Sequence, residues 1–124
     1  MFAQSGKLVI WDLDDMFWRG TLSEELIVPV DANCRALREL AEVGIVSSIC
    51  SRNDYEQARV KLIEMGLWDY FARPVIQWSA KGSSVMELIE DLHLRPVNVV
   101  FIDDNAANLA DVAFHCPGIT CFNR

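Results

Sequence analysis

Short unbroken apolar runs alternate along this chain with longer stretches in which apolar residues return at helical spacing. The first run, Lys7 to Asp12, is too short for a helix and reads as a strand buried on both faces. It follows a loose lead-in, Met1 to Gly6, and stops at three acids, Asp12, Asp14 and Asp15. Asp14 to Pro29 reads as irregular, because Gly20 punctuates it and Pro29 opposes a regular helix. Asp31 is the expected N-cap of a helix whose inner face carries Cys34, Leu37, Leu40 and Ala41 and which Gly44 closes. Ile45 to Cys50 is a second strand, ending at Ser51-Arg52-Asn53-Asp54. Either Asn53 or Asp54 can cap the following helix, with Ala58, Leu62 and Met65 inward.

An aromatic turn from Leu67 to Arg73 leads to a short third strand, Val75 to Trp78. Lys81-Gly82-Ser83-Ser84 opens a helix with a buried stripe of Val85, Leu88, Ile89 and Leu92. A fourth strand, Val97 to Ile102, ends at Asp103-Asp104-Asn105. A helix over roughly Ala107 to His115 and a last strand, Ile119 to Phe122, complete the pattern. Strands and helices alternating through short connections predict an α/β fold: a three-layer, Rossmann-like sandwich around a parallel sheet of about five strands. Ligands bind such sheets beyond the carboxyl ends of the strands. Topology alone therefore gathers Asp12, Ser51 and Asp103 on one edge.

Composition narrows the picture. A chain of 124 residues with 52% apolar content predicts one domain, residues 1–124, with a core that needs no disulfides. The four cysteines show no paired spacing and are expected to be reduced, as in a cytoplasmic protein. Acids directly after the first apolar run argue against a signal peptide, and no run approaches the length of a membrane span. The net charge of −7 argues against a basic nucleic-acid surface. It leaves room for an anionic small substrate, because a bound divalent metal would invert the local sign.

Carboxylates at the end of a buried strand are costly unless a cation meets them. Either a metal sits there, or a Lys or Arg reaches in. Asp12, Asp14 (through backbone or side chain) and Asp103 offer hard oxygen ligands, which suit Mg²⁺ better than zinc. Ser51 offers a hydroxyl, the helix start behind it offers amides, and Lys81 offers an ammonium. Together these suit a phosphoryl group under attack by Asp12. Trp18, Trp68 and Trp78 are expected in packing rather than ligand stacking, and His93 and His115 outside the chemistry.

At these residues the chain resembles the haloacid dehalogenase (HAD) superfamily of phosphotransferases. Asp12-Leu13-Asp14, Ser51, Lys81 and Asp103-Asp104 appear in the family's order, and the likeness runs from Lys7 to about Phe122. Trp11-Asp12-Leu13-Asp14 with Phe17-Trp18, Ser51-Arg52-Asn53-Asp54 and Phe101-Ile102-Asp103-Asp104-Asn105 are similar to subclass III-C. That subclass holds magnesium-dependent phosphatases and the glyceryl-loading proteins of polyketide pathways. The resemblance implies a Mg²⁺-dependent phosphatase acting on a phosphomonoester through an aspartyl-phosphate. Asp12 would be the nucleophile and Asp14 the general acid and base. Ser51, Lys81 and the backbone amides of Leu13 and Arg52 would hold the phosphoryl oxygens. Asp103 would bind the metal, with Asp104 acting through water or as a support for Lys81.

Two features depart from the family pattern. Met16 stands where Thr or Val is usual, so a hydroxyl that could tie the turn is absent; a slower enzyme or a different loop is expected. No gap between the motifs holds a lid domain. An open site of this kind implies a large or carrier-linked phosphorylated substrate, or a fused domain or second subunit as cover. Two other readings remain at this point: a module of a biosynthetic glyceryl, polyketide or sugar transfer pathway, and a non-catalytic phosphate-binding domain.

Overall fold

The computed structural model describes residues 7–19 and 28–123; the lead-in and Gly20 lie outside them. Five strands form one parallel sheet: β1 (Leu8–Trp11), β4 (Val46–Ser51), β5 (Val75–Ile76), β6 (Val99–Asp103) and β7 (Thr120–Asn123). Their order is β5-β4-β1-β6-β7, so β1 lies at the centre. Four helices connect them: α1 (Asp31–Glu42), α2 (Tyr55–Glu64), α3 (Lys81–Asp91) and α4 (Ala106–His115). A separate two-stranded antiparallel pair, β2 (Trp18–Arg19) with β3 (Val28–Pro29), stands where the sequence predicts irregular chain. Strands this short carry no readable periodicity.

The three layers follow from alternation along β1. Val9 and Trp11 pack into one cluster with Cys34 and Leu37 of α1 and Ala58 and Leu62 of α2. Leu8 and Ile10 pack into the other with Val85, Leu88 and Ile89 of α3 and Val112 of α4. A strand buried on both faces must be apolar at every position, and all four residues of β1 are. After β4, β5 and β6 the helix begins within five residues. No cap domain is inserted among the described residues, as the fold reading expects.

Several boundaries move for physical reasons. Val30, not Asp31, is the N-cap of α1; Asp31 lies in the first turn, where its charge still favours the helix dipole. Ala41 is exposed, and the apolar face of α1 rests on Cys34, Leu37 and partly buried Leu40. Pro96 opens a 3-10 turn, Pro96–Asn98, which delays β6 to Val99. Asp54 is the cap of α2, its side chain accepting from the Gln57 amide at 3.0 Å. Trp78 lies beyond β5 and is 75% exposed, so it is not packed as expected.

α3 and α4 approach closely at Gly82. Its amide donates to Asp111 Oδ2 at 2.8 Å, and a Cβ there would run into His115 Nδ1 and lie 2.8 Å from the Asp111 backbone oxygen. A backbone oxygen cannot yield without moving α4. Gly82→Ala should therefore lower the unfolding free energy by about 1–3 kcal/mol despite alanine's better helix propensity. Chemical denaturation monitored by circular dichroism measures it, and an unchanged or raised value would contradict this packing.

Candidate active site

The site lies beyond the carboxyl ends of β1, β4 and β6. Neighbouring β1 and β6 pair Trp11 with Ile102, so the next residues, Asp12 and Asp103, leave the sheet side by side. α3 begins opposite them at Lys81. Its Nζ lies 3.0 Å from Asp12 Oδ1 and 2.8 Å from Asp103 Oδ2. Lys81 is 3% exposed and Asp103 fully buried, while the Asp12 side chain keeps 13% of its surface open. The ammonium also lies 5.9 Å from the Phe101 ring centre. An ammonium at a helix start is opposed by the helix dipole, and here the two carboxylates hold it in place.

Three donors hold Asp103. Oδ2 accepts from Lys81 and from Asn108 Nδ2 at 3.1 Å, and Oδ1 accepts from the Asn105 amide at 2.9 Å. Asn108 in turn accepts from Arg52 Nη2 at 2.7 Å. The Arg52 side chain is thus tethered at the exposed rim, while its backbone follows Ser51, a buried residue that closes β4.

Asp12, Asp103 and Asp104 form a metal-capable cluster: one carboxylate oxygen from each lies within 4.8 Å of the others. Three carboxylates face one ammonium, so the surplus negative charge is two, which a divalent cation would cancel. That imbalance shows in the proton affinities. Burial raises the Asp12 carboxyl above its ordinary value, with Lys81 pulling it down and Asp103 pushing it up. Burial would lower the Lys81 ammonium, but Asp12 and Asp103 outweigh it and raise it. Asp104 is raised by burial and then by the Asp103 charge beside it. An all-oxygen, acid-rich set fits Mg²⁺ or a similar hard cation.

Asp14 takes a different direction. The chain turns tightly after Asp12: the amides of Met16 and Phe17 both donate to Leu13 O, at 3.0 and 3.1 Å, and Asp15 adopts φ 62. Asp tolerates that left-handed conformation better than most residues. Asp14 Oδ1 accepts from Trp18 Nε1 at 2.8 Å and from Asn53 Nδ2 at 3.3 Å. Its side chain is thus tied to the short β2–β3 pair and to the loop after β4, while the side-chain cluster of three carboxylates is that of Asp12, Asp103 and Asp104. Burial raises its carboxyl, only partly offset by the bonds from Trp18 and Asn53. A carboxyl that holds its proton more firmly than usual suits a general acid.

Met16 brings no hydroxyl, yet the turn is still anchored. Its backbone oxygen accepts from Asn33 Nδ2 of α1 at 2.7 Å, and Val30 N donates to Phe17 O at 2.8 Å. An open cavity lined by Asp15, Arg19, Val30, Ala32, Asn33 and Asp104 adjoins the cluster.

Sequence reasoning placed Asp12, Ser51, Lys81 and Asp103 together on one edge, and the structure brings them there. It does not foresee the bonds that Trp18 and Asn53 make to Asp14, Asn33 to the Met16 oxygen and Asn108 to Asp103. The available signal was polar side chains next to strand ends and an aromatic four residues after Asp14, each with an ordinary packing or capping explanation.

No protein-family model and no curated protein sequence matches the chain. Solved structures do. The chain is similar to the N-terminal part of a Bacteroides fragilis protein containing a phosphatase domain complexed with Mg, at 24% identity and a TM-score of 0.84. That match covers 95% of this chain but 36% of the other, so this chain spans little more than a third of its length. A second likeness is to the cobalt-bound deoxy-D-mannose-octulosonate 8-phosphate phosphatase of Haemophilus influenzae, at 16% identity and a TM-score of 0.72, covering 95% and 68%. A HAD-superfamily hydrolase from Ehrlichia chaffeensis matches at 14% identity and a TM-score of 0.72, covering 97% and 92%. The chain shares the fold of these structures, and in it an aspartate cluster stands at the strand ends. No helix among the described residues is long and apolar enough to cross a membrane.

Removing the Lys81 charge tests this electrostatic account. Lys81→Met should lower the stability of the metal-free protein by about 3–5 kcal/mol, because two buried carboxylates lose their counter-ion. The folded-state value of Lys81 lies above its ordinary 10.5. Its contribution is therefore complete below that pH and fades as pH rises through the higher folded value. Denaturation of both proteins over an alkaline pH series should show the gap constant at first and then narrowing. A gap that is small at neutral pH, or that widens with alkali, would contradict it.

Proposed function

We propose that this chain is a capless, Mg²⁺-dependent phosphatase of the HAD superfamily, a single domain hydrolysing a phosphomonoester. The observation that carries this is the double use of the first strand end: Asp12 is paired with Lys81, while Asp14, two residues on, is bonded to Trp18 and Asn53. One carboxylate is held for attack and the other for proton transfer, which matches a two-step phosphoryl transfer.

In the first step an Asp12 carboxylate oxygen forms a bond to phosphorus as the ester P–O bond breaks. Asp14 gives its proton to the departing oxygen. In the second, Asp14 takes a proton from water, the water oxygen bonds to phosphorus, and the bond to Asp12 breaks. Inorganic phosphate leaves and both carboxyls return to their starting forms. Ser51, Lys81 and the amides of Leu13 and Arg52 bind the phosphoryl oxygens throughout. Asp12, Asp103 and Asp104 would hold Mg²⁺, which when bound neutralises charge on the phosphoryl group.

A second reading has its own support. The Bacteroides likeness covers 36% of a chain that is itself the N-terminal part of a longer protein. In that reading this chain is the phosphatase unit of a larger biosynthetic transfer protein of the glyceryl-loading, subclass III-C kind, in the cytoplasm, with a neighbouring domain over its open edge.

Hydrolysis of 4-nitrophenyl phosphate, with Mg²⁺ and after chelation, tests the primary reading. Turnover should require the metal, and Asp12→Asn should reduce it by about a thousandfold or more. Metal-independent turnover, or activity surviving Asp12→Asn, would overturn the mechanism.

A further inference from the structure

We infer that Trp18, seconded by Asn53, is a positioning residue that fixes which oxygen of Asp14 carries the transferred proton. This inference rests on the phosphatase reading above and goes beyond it, because it assigns work to a residue that the sequence marks as core.

Both donors converge on one atom. The Trp18 indole N–H and the Asn53 amide donate to Asp14 Oδ1, at 2.8 and 3.3 Å. A protonated carboxyl keeps its hydrogen on the oxygen that is not already receiving donors. That leaves Oδ2 as the proton carrier. A carboxylate otherwise rotates readily about its terminal torsion, exchanging its two oxygens. Two donors on Oδ1 remove this freedom and hold Oδ2 in one direction.

The indole itself cannot move. Trp18 is fully buried, in a cluster with Met16, Phe17, Trp11 and Leu37. Phe17 beside it packs against Trp11 at 5.0 Å and Phe71 at 5.6 Å between ring centres. Trp18 pairs with Pro29 in the β2–β3 ladder, and α1 fastens the same turn through Asn33 on Met16 O. Met16 has no hydroxyl with which to orient the turn, and the indole supplies a donor from two residues further on. Asn53 adds a constraint from the loop after β4, and its own oxygen accepts from the Asp54 amide at 3.1 Å. The acid is therefore held from two separate parts of the chain.

The consequence appears in the leaving group. A nitrophenolate departs with little help from an acid, whereas an alkoxide needs the proton as the P–O bond breaks. Misplacing the acid should therefore penalise alkyl esters more. The experiment compares 4-nitrophenyl phosphate and glycerol 3-phosphate, with Mg²⁺, in wild type, Trp18→Phe and Asn53→Ala. In Trp18→Phe, kcat/KM on the alkyl ester should fall about tenfold or more beyond its fall on the nitrophenyl ester. Inhibition by inorganic phosphate should stay within about twofold of wild type, since phosphoryl binding does not use Asp14. Asn53→Ala should move in the same direction by a smaller factor, and it decides the matter if Trp18→Phe fails to fold. Equal losses on both esters, no loss, or a parallel loss of phosphate inhibition would overturn the positioning role while leaving the phosphatase reading intact. A wild-type protein inactive on both esters contradicts that reading and this inference with it.

Discussion

One buried ammonium organises the edge where the carboxylates gather. Lys81 sits between Asp12 and Asp103 in the part of the molecule where unpaired charge is most costly, and neither carboxylate could stay there without it. Its arrival depends on the whole topology. β1 and β6 must be neighbours so that the two acids leave the sheet together, and α3 must cross behind the sheet to start opposite them. The close contact of Gly82 with α4 sets how near α3 can come. A core decision about one hydrogen at Gly82 is thus connected to the position of the charged group next to it.

The ammonium does not finish the neutralisation. Asp103 and Lys81 form a buried floor, Asp12 opens slightly to solvent, and Asp104 is exposed. Negative charge is therefore in surplus on the side facing the open edge, where a hard cation and a phosphoryl group would meet it. No cap covers that edge among the described residues.

Much of this was legible in the sequence, for a specific reason. The strands β1 and β6 are continuous apolar runs that end at acids, and a parallel sheet collects such ends whatever lies between them. Asp12, Ser51, Lys81 and Asp103 could be placed together without knowing a single side-chain angle. What escaped depends on such angles. Asp104 stands as the third carboxylate beside Asp12 and Asp103, and the Asp14 side chain is bonded to Trp18 and Asn53. Trp18 looks like core because it is core; only its indole nitrogen does something else. The paired strands β2 and β3 are too short to show a period. Met16 looked like a loss of anchoring, and the anchor proved to be its backbone oxygen, held by Asn33, which sequence spacing does not predict.

The central claim is that Asp12 becomes phosphorylated, and chemical trapping of that bond tests it most directly. An acyl phosphate on aspartate is reduced by borohydride to homoserine, whereas a free carboxylate is not. Protein quenched during turnover of a phosphomonoester, reduced, and read by peptide mass spectrometry should carry homoserine at position 12 and only in samples that received substrate and Mg²⁺. Unmodified Asp12 in an actively turning-over sample, or reduction at Asp14, Asp103 or Asp104 instead, would contradict the account.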